Sequence, residues 1–153
     1  VKNNKKRNEN IYKKIIKTLP TDIDSKTIAI LGLTFKPNTD DMRDSPSLDL
    51  IPKLIEEKCK LKVFDPEGME EAKKYFADIS NDIVYCNDAY ETTKDSDALV
   101  ILTEWNQFRA LDLEKVKNLL KNKIIIDLRN IYNPKELNEM GFNYYSIGRD
   151  NID

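Results

Sequence analysis

SDALVILTEW, residues 96–105, sets five consecutive apolar side chains, Ala98 to Leu102, between Asp97 and Thr103. A strand with one face in water alternates apolar and polar residues. An unbroken short run rich in branched side chains belongs to a strand covered on both faces. Ile124-Ile125-Ile126 repeats the pattern. Strands of this kind make parallel sheets with helices packed on each side.

Outward from that stretch, apolar runs at 27–33, 61–64, 97–102 and 123–127 read as strands, with weaker candidates at 83–85 and 144–145. Helical patterns at 47–58, 68–76, 88–94 and 112–120 separate them, and 133–139 opens with Asn133 as cap and Pro134 at its first position. Ser45 and Pro46 would open helix 47–58 in the same way, while Pro52 should bend that helix or displace its start. Residues 2–18 suit a leading helix whose stripe is Ile11, Ile15, Ile16 and Leu19; Pro20 stops it and TDIDSK is a polar linker. The expected fold is therefore α/β: a Rossmann-like, doubly wound, mostly parallel sheet flanked by helices and preceded by an N-terminal helix. Such sheets bind ligands beyond the carboxyl ends of their strands, near the point where strand order reverses. Functional residues should follow the strands, in the loop after Ile30, at Asp65, at Thr103-Glu104-Trp105 and at Asp127-Leu128-Arg129.

Composition narrows the chemistry. The chain of 153 residues is 40% hydrophobic and 34% charged with a net charge of −2, which suits a globular protein and argues against general nucleic-acid affinity. The basic run Lys2, Lys5, Lys6, Arg7 reads as a solvated helix face. No apolar stretch approaches the ~20 residues that span a bilayer, and no secretory signal is visible, so a cytoplasmic location is expected and a membrane partner is not. There is no histidine, and Cys59 and Cys86 have neither zinc spacing nor an activating neighbour in sequence, so no metal is expected and both cysteines read as structural. The four glycines, at 32, 68, 141 and 148, cannot compose a GxGxxG dinucleotide motif or a phosphate-binding Walker loop. Starting at Val1 in helix-like sequence, the chain reads as part of something longer.

The loop LGLTFKPNTDDMRDSP, residues 31–46, stands where α/β proteins usually hold a phosphate, yet it has a single glycine. Lys36 and Arg43 could face an anion there, or could pair with Asp40, Asp41 and Asp44 at the surface. Asp65, before Pro66, is either a ribose acceptor or a turn former. Arg129 could offer its fork to a diphosphate or sugar, or form a salt bridge with Asp127 or Glu104. Trp105 and Phe108 read as core residues.

A more specific signal lies in the wording of five segments: GLTFKPNTDDMRDSPSLDL, VFDPEGME, ALVILTEWNQFRALDL, DLRNIYNP and GFNYYSIGR. In order and spacing they resemble the C-terminal domain of the UDP-glucose 6-dehydrogenases, within the wider UDP-glucose/GDP-mannose dehydrogenase family. The resemblance runs from about Ser25 to the end. It implies two parts: 1–24, the end of the central helical segment with its linker, and 25–153, the UDP-sugar-binding domain. By motif match, Phe35, Lys36 and Arg129 would contact UDP-glucose, and Arg43 would reach toward NAD held mainly by an N-terminal domain. The family oxidises the sugar's C6 alcohol to a carboxylate with two NAD and a covalent intermediate on a cysteine, a reaction that serves polysaccharide biosynthesis. Its NAD motif and cysteine motif belong to earlier domains and are not in this sequence, so no catalytic residue is expected here and the chain alone should be inactive. The implied partners are UDP-glucose and the N-terminal and central domains of the parent enzyme, which is expected to be a homo-oligomer. Exposed in a fragment, the stripe of Ile11, Ile15 and Ile16 could drive dimerisation. Two alternatives remain: the same domain of a UDP-N-acetylmannosamine or GDP-mannose dehydrogenase, and a stand-alone, non-catalytic nucleotide-binding module.

Overall fold

A computed structural model describes residues 2–19 and 26–146, with side chains from residue 9 onward. Pro20, most of the linker with the expected boundary near residue 24, Gly148 and Arg149 lie outside the described residues, as do the side chains of the basic N-terminal run.

Among the described residues six strands form one parallel sheet: β1 (Thr27–Leu31), β2 (Lys60–Phe64), β3 (Ile83–Tyr85), β4 (Ala98–Ile101), β5 (Ile124–Asp127) and β6 (Asn143–Ser146), in the order β3-β2-β1-β4-β5-β6. The helices are α1 (Lys2–Thr18), α2 (Ser47–Glu56), α3 (Met69–Tyr75), α4 (Ala89–Thr93), α5 (Asn106–Arg109), α6 (Leu113–Leu119) and α7 (Pro134–Glu139), with a 3₁₀ segment at Ala77–Asp82. This is the doubly wound fold that the apolar runs predict. Both weak strand candidates are real, as the edges of the sheet. Helix α5 and the 3₁₀ segment are additions, each too short to show periodicity.

Successive side chains on a strand point to opposite faces, and the two cores divide accordingly. Ile28, Ile30, Leu61, Val63, Ala98, Val100 and Ile126 pack with Leu50, Ile51 and Leu54 of α2 and Ala72 of α3. Ala29, Leu31, Leu99, Ile101 and Ile125 pack with Phe108, Val116 and Leu137 of α5, α6 and α7. The continuous apolar run at 98–102 is thus two half-runs, each serving one core.

Helix α1 corrects one expectation. Ile11, Ile15 and Leu19 are buried in the same core as α2, with Ile16 packed against it, and Tyr12 donates to Glu57 at 3.0 Å. The apolar stripe is covered by the chain itself, so it offers no open face for dimerisation.

Helix α2 runs from 47 to 56 through Pro52; of the two outcomes expected of that proline, a bend or a displaced start, the second does not occur. Pro46 has helical dihedrals, and the Ser45 hydroxyl accepts from Ser47 N at 3.2 Å, so the Ser-Pro start is realised in the turn before the assigned helix. At the far end Lys58 has φ 65°, its N–H donates to Ile55 O at 2.8 Å, and Cys59 N donates to Leu54 O at 3.1 Å. That pair of bonds is a Schellman cap. Asn133 caps α7 through Glu136 N with Pro134 following it, as its sequence predicts.

Candidate functional site at the carboxyl edge of the sheet

The strand order reverses between β1 and β4, and the crevice beyond their carboxyl ends is where a ligand sits in this fold. Here the two strand ends close on each other. Gly32 has φ +95°, and a Cβ on it would lie 2.6 Å from Thr103, so only glycine fits. Thr103 Oγ1 donates to the Thr34 carbonyl at 2.7 Å, tying the loop after β1 to the end of β4.

Two buried carboxylates fix the loops around that contact. At the end of β2, Asp65 is fully buried. Its Oδ2 accepts from Leu33 N (2.7 Å), Thr34 N (3.1 Å) and the Thr34 hydroxyl (3.1 Å), which also lies 3.1 Å from the Lys36 carbonyl. Its Oδ1 accepts from Glu67 N (3.0 Å) and Gly68 N (2.8 Å). The turn-forming reading is realised, and the carboxylate also clamps the loop after β1. No oxygen is left to meet a ribose.

At the end of β5, Asp127 is equally buried and accepts from Arg129 N (3.0 Å), Ile131 N (2.8 Å), Tyr132 N (3.2 Å) and the Tyr144 hydroxyl (2.6 Å). The sequence places Asp127 among the strand-end candidates and offers it as an ion-pair partner of Arg129. It engages that residue's backbone instead, a role that a buried acid following an Ile-Ile-Ile run signals by its position.

Internal hydrogen bonds hold the loop in shape. Phe35 N donates to Asp41 O at 3.0 Å and Asp41 N to Thr39 Oγ1 at 3.1 Å, while Asn38 and Asp44 take left-handed backbone conformations. The Ser45 and Ser47 hydroxyls both donate to the Leu33 carbonyl, at 2.6 and 2.7 Å. On this frame Phe35 is 44% exposed and Lys36 is exposed beside it. Arg129 meets them from β5: its Nη2 lies 3.5 Å from the Phe35 carbonyl, and its guanidinium pairs with Glu104. Phe35, Lys36 and Arg129 are therefore brought to one place, although their sequence positions span most of the chain.

Arg43 turns instead to its own loop, where the charge of Lys36 also reaches its partner Asp41. Its side chain is 81% exposed and binds Asp41 through Nε (3.0 Å) and Nη2 (2.9 Å), so the surface-pairing alternative is realised for this residue. Those hydrogen bonds, with one from the Arg43 backbone, hold the Asp41 carboxyl down to about 2. A shallow cleft of ≈ 390 Å³ lies along this arm of the loop, bounded by Arg43, Glu71 and Tyr75. A second, of ≈ 410 Å³, lies between Asn38, Thr39, Asp40, Glu67 and Trp105.

Trp105 is 6% exposed and Phe108 fully buried in an edge-to-face pair with Phe64, which places both in the core as expected. Cys59 and Cys86 are buried, and burial pushes the Cys86 thiol up, away from the thiolate that reacts. Among the described residues no three acids or cysteines converge into a metal site, and no helix is long and apolar enough to cross a membrane.

Residues 29–134 match the model of the UDP-glucose/GDP-mannose dehydrogenase family, UDP binding domain. The chain is 46% identical over 146 residues to a UDP-glucose 6-dehydrogenase of Rhizobium meliloti, covering 95% of this chain and 32% of that protein. It is 39% identical to UDP-glucose 6-dehydrogenase TuaD of Bacillus subtilis, covering 97% and 32%. The chain thus spans about a third of the length of the curated relatives it matches. Among solved structures, a UDP-glucose dehydrogenase from Pyrobaculum islandicum superimposes with a TM-score of 0.70 at 26% identity, over 90% of this chain and 29% of the other.

Proposed function

Because the chain belongs to the UDP-glucose/GDP-mannose dehydrogenase family, through its UDP binding domain, we propose that it is the nucleotide-sugar-binding part of an NAD-dependent UDP-glucose 6-dehydrogenase. In this reading residues 1–24 end a central helical segment and 25–153 form the binding domain. The observation that carries the choice of UDP-glucose is the 46% identity over 95% of this chain with an enzyme of that name. The full-length enzyme would turn UDP-glucose into UDP-glucuronate in the cytoplasm, for polysaccharide biosynthesis. Any homo-oligomer would assemble through a surface other than the stripe of α1, which is covered.

The chemistry suits a UDP-sugar. A diphosphate asks for cationic donors, and a ring system asks for an apolar face. Lys36 supplies a mobile charge, Arg129 a directional planar donor, and Phe35 an exposed ring on a pinned loop. NAD does not fit the crevice between β1 and β4 in the manner of a dinucleotide fold. Gly32 is closed over by Thr103, and both oxygens of Asp65 are committed to the protein. In this reading the cofactor is held mainly by an N-terminal domain of the enzyme. Here the exposed Arg43 would reach it, exchanging its bond to Asp41 for a cofactor oxygen. No step of the hydride chemistry falls to residues of this chain. They bind the nucleotide, orient the sugar and, on domain closure, exclude water.

The two arms of the loop can be tested separately in the full-length enzyme. Lys36→Ala should lower kcat/KM for UDP-glucose by about tenfold or more, the worth of a charged hydrogen bond in a closed cleft. The KM for NAD should move much less. Arg43→Ala should show the reverse bias. A silent Lys36→Ala would make the loop a charged surface turn, and equal effects on both substrates would assign it to domain closure instead.

A further inference from the structure

The guanidinium of Arg129 is already engaged before any ligand arrives. Its Nε donates to Glu104 Oε2 and its Nη2 to Oε1, both at 3.0 Å, a side-on fork joining the ends of β5 and β4. Nη2 also faces the Phe35 carbonyl at 3.5 Å, across to the loop after β1. Both side chains are mostly buried, 21% and 28% exposed, so solvent screens the pair only in part. A guanidinium has five N–H donors in one rigid plane. The fork and the Phe35 contact account for those on Nε and Nη2. Among the described residues the two on Nη1 have no protein acceptor.

We infer that Glu104 is a positioning residue for ligand binding: it holds the Arg129 plane so that the Nη1 edge is the one that meets an oxyanion of the UDP moiety. This rests on the nucleotide-sugar reading and deepens it. An unheld arginine at a strand end must give up rotamer freedom when it binds. Glu104 removes that freedom in advance, and through the Phe35 contact it couples the set of the guanidinium to the loop carrying Phe35 and Lys36. The carboxylate also cancels positive charge where an anion is to bind. Geometry and charge therefore make opposite forecasts for its removal. If positioning is its role, losing Glu104 weakens the ligand; if it merely opposes the anion, losing it tightens the ligand.

The experiment uses the full-length enzyme carrying this domain, with UDP as the calorimetric probe and UDP-glucose as substrate. In Glu104→Gln the amide N–H₂ must face one donor of the fork, which breaks it. The Kd for UDP and the KM for UDP-glucose should then rise about fivefold or more, while kcat and the KM for NAD stay within about twofold. Glu104→Asp keeps the charge but falls short by a methylene, and should weaken UDP as well. In an Arg129→Lys background Glu104→Gln should add no further loss, because a residue that acts through the guanidinium has nothing left to act on. Unchanged or tighter UDP binding in Glu104→Gln, or a loss that persists undiminished beside Arg129→Lys, overturns the inference. Should Glu104→Gln fail to fold, Glu104→Asp decides: wild-type affinity for UDP in that variant counts against positioning. A wild-type enzyme that does not bind UDP brings down the functional reading, and the role of Glu104 with it.

Discussion

At the scale of single residues, the two buried carboxylates show how this edge is built. Asp65 and Asp127 end strands β2 and β5 with no exposure to water, and each gathers backbone N–H groups from the loops beside it. A buried carboxylate is costly unless its oxygens are satisfied, and here the donors come from segments that have no regular partner. The acid and the loop solve each other's problem. Asp65→Asn should therefore cost far more than its small change in shape suggests. One oxygen becomes an N–H₂ group pointing at two or three donors, an expected loss of about 2–5 kcal/mol in urea unfolding of this chain. A change below ~1 kcal/mol would mean that water can replace these contacts. Asp41, half-buried and joined to Arg43, has the same residue type but gathers fewer backbone donors.

Among elements, α2 is the one that connects core to site. Its first turn is bound to the Leu33 carbonyl by Ser45 and Ser47, and its last turn closes in the Schellman cap at Lys58. In between, Leu50, Ile51 and Leu54 bury the face that α1 and the sheet share. Pro52 survives inside the helix because the buried face fixes the axis on either side of it; burial has overridden the local preference. The cap is less favourable. Lys58 adopts a left-handed conformation with φ 65°, which costs a side chain about 1–2 kcal/mol, whereas glycine there incurs a smaller entropic penalty. Lys58→Gly should raise stability by about 0.5–1 kcal/mol, seen as a higher urea midpoint with an unchanged m-value. Destabilisation would mean that the exposed lysine side chain makes a contribution larger than the strain it brings.

For the molecule as a whole, both faces of the sheet are covered among the described residues, and α1 seals the side of α2. The chain should thus fold by itself, yet on the proposed function it holds only one side of a cleft. Incubated with UDP-glucose and NAD it should produce no NADH above a control without protein. UDP-glucose should bind only weakly, with a Kd on the order of millimolar, since half the contacts are missing while the entropic cost of association remains. Steady NADH production would place the redox machinery in this chain and refute its assignment as a binding domain alone.

The amino-acid sequence by itself determined the layering. Unbroken apolar runs at 98–102 and 124–126 require two covered faces, and the helical periods between them supply the covers. It also marked the residues at strand ends, because strands and helices announce themselves through local periodicity. The partners of those residues were a different matter. Arg129 could have turned to Asp127 or Glu104, Arg43 to any of three aspartates, and the stripe of α1 to a second molecule. Those choices depend on distances between segments far apart in the chain, such as the 3.0 Å from Arg129 to Glu104 or the closure of Gly32 on Thr103. No local period encodes such a distance; it exists only once the strands have taken their order in the sheet.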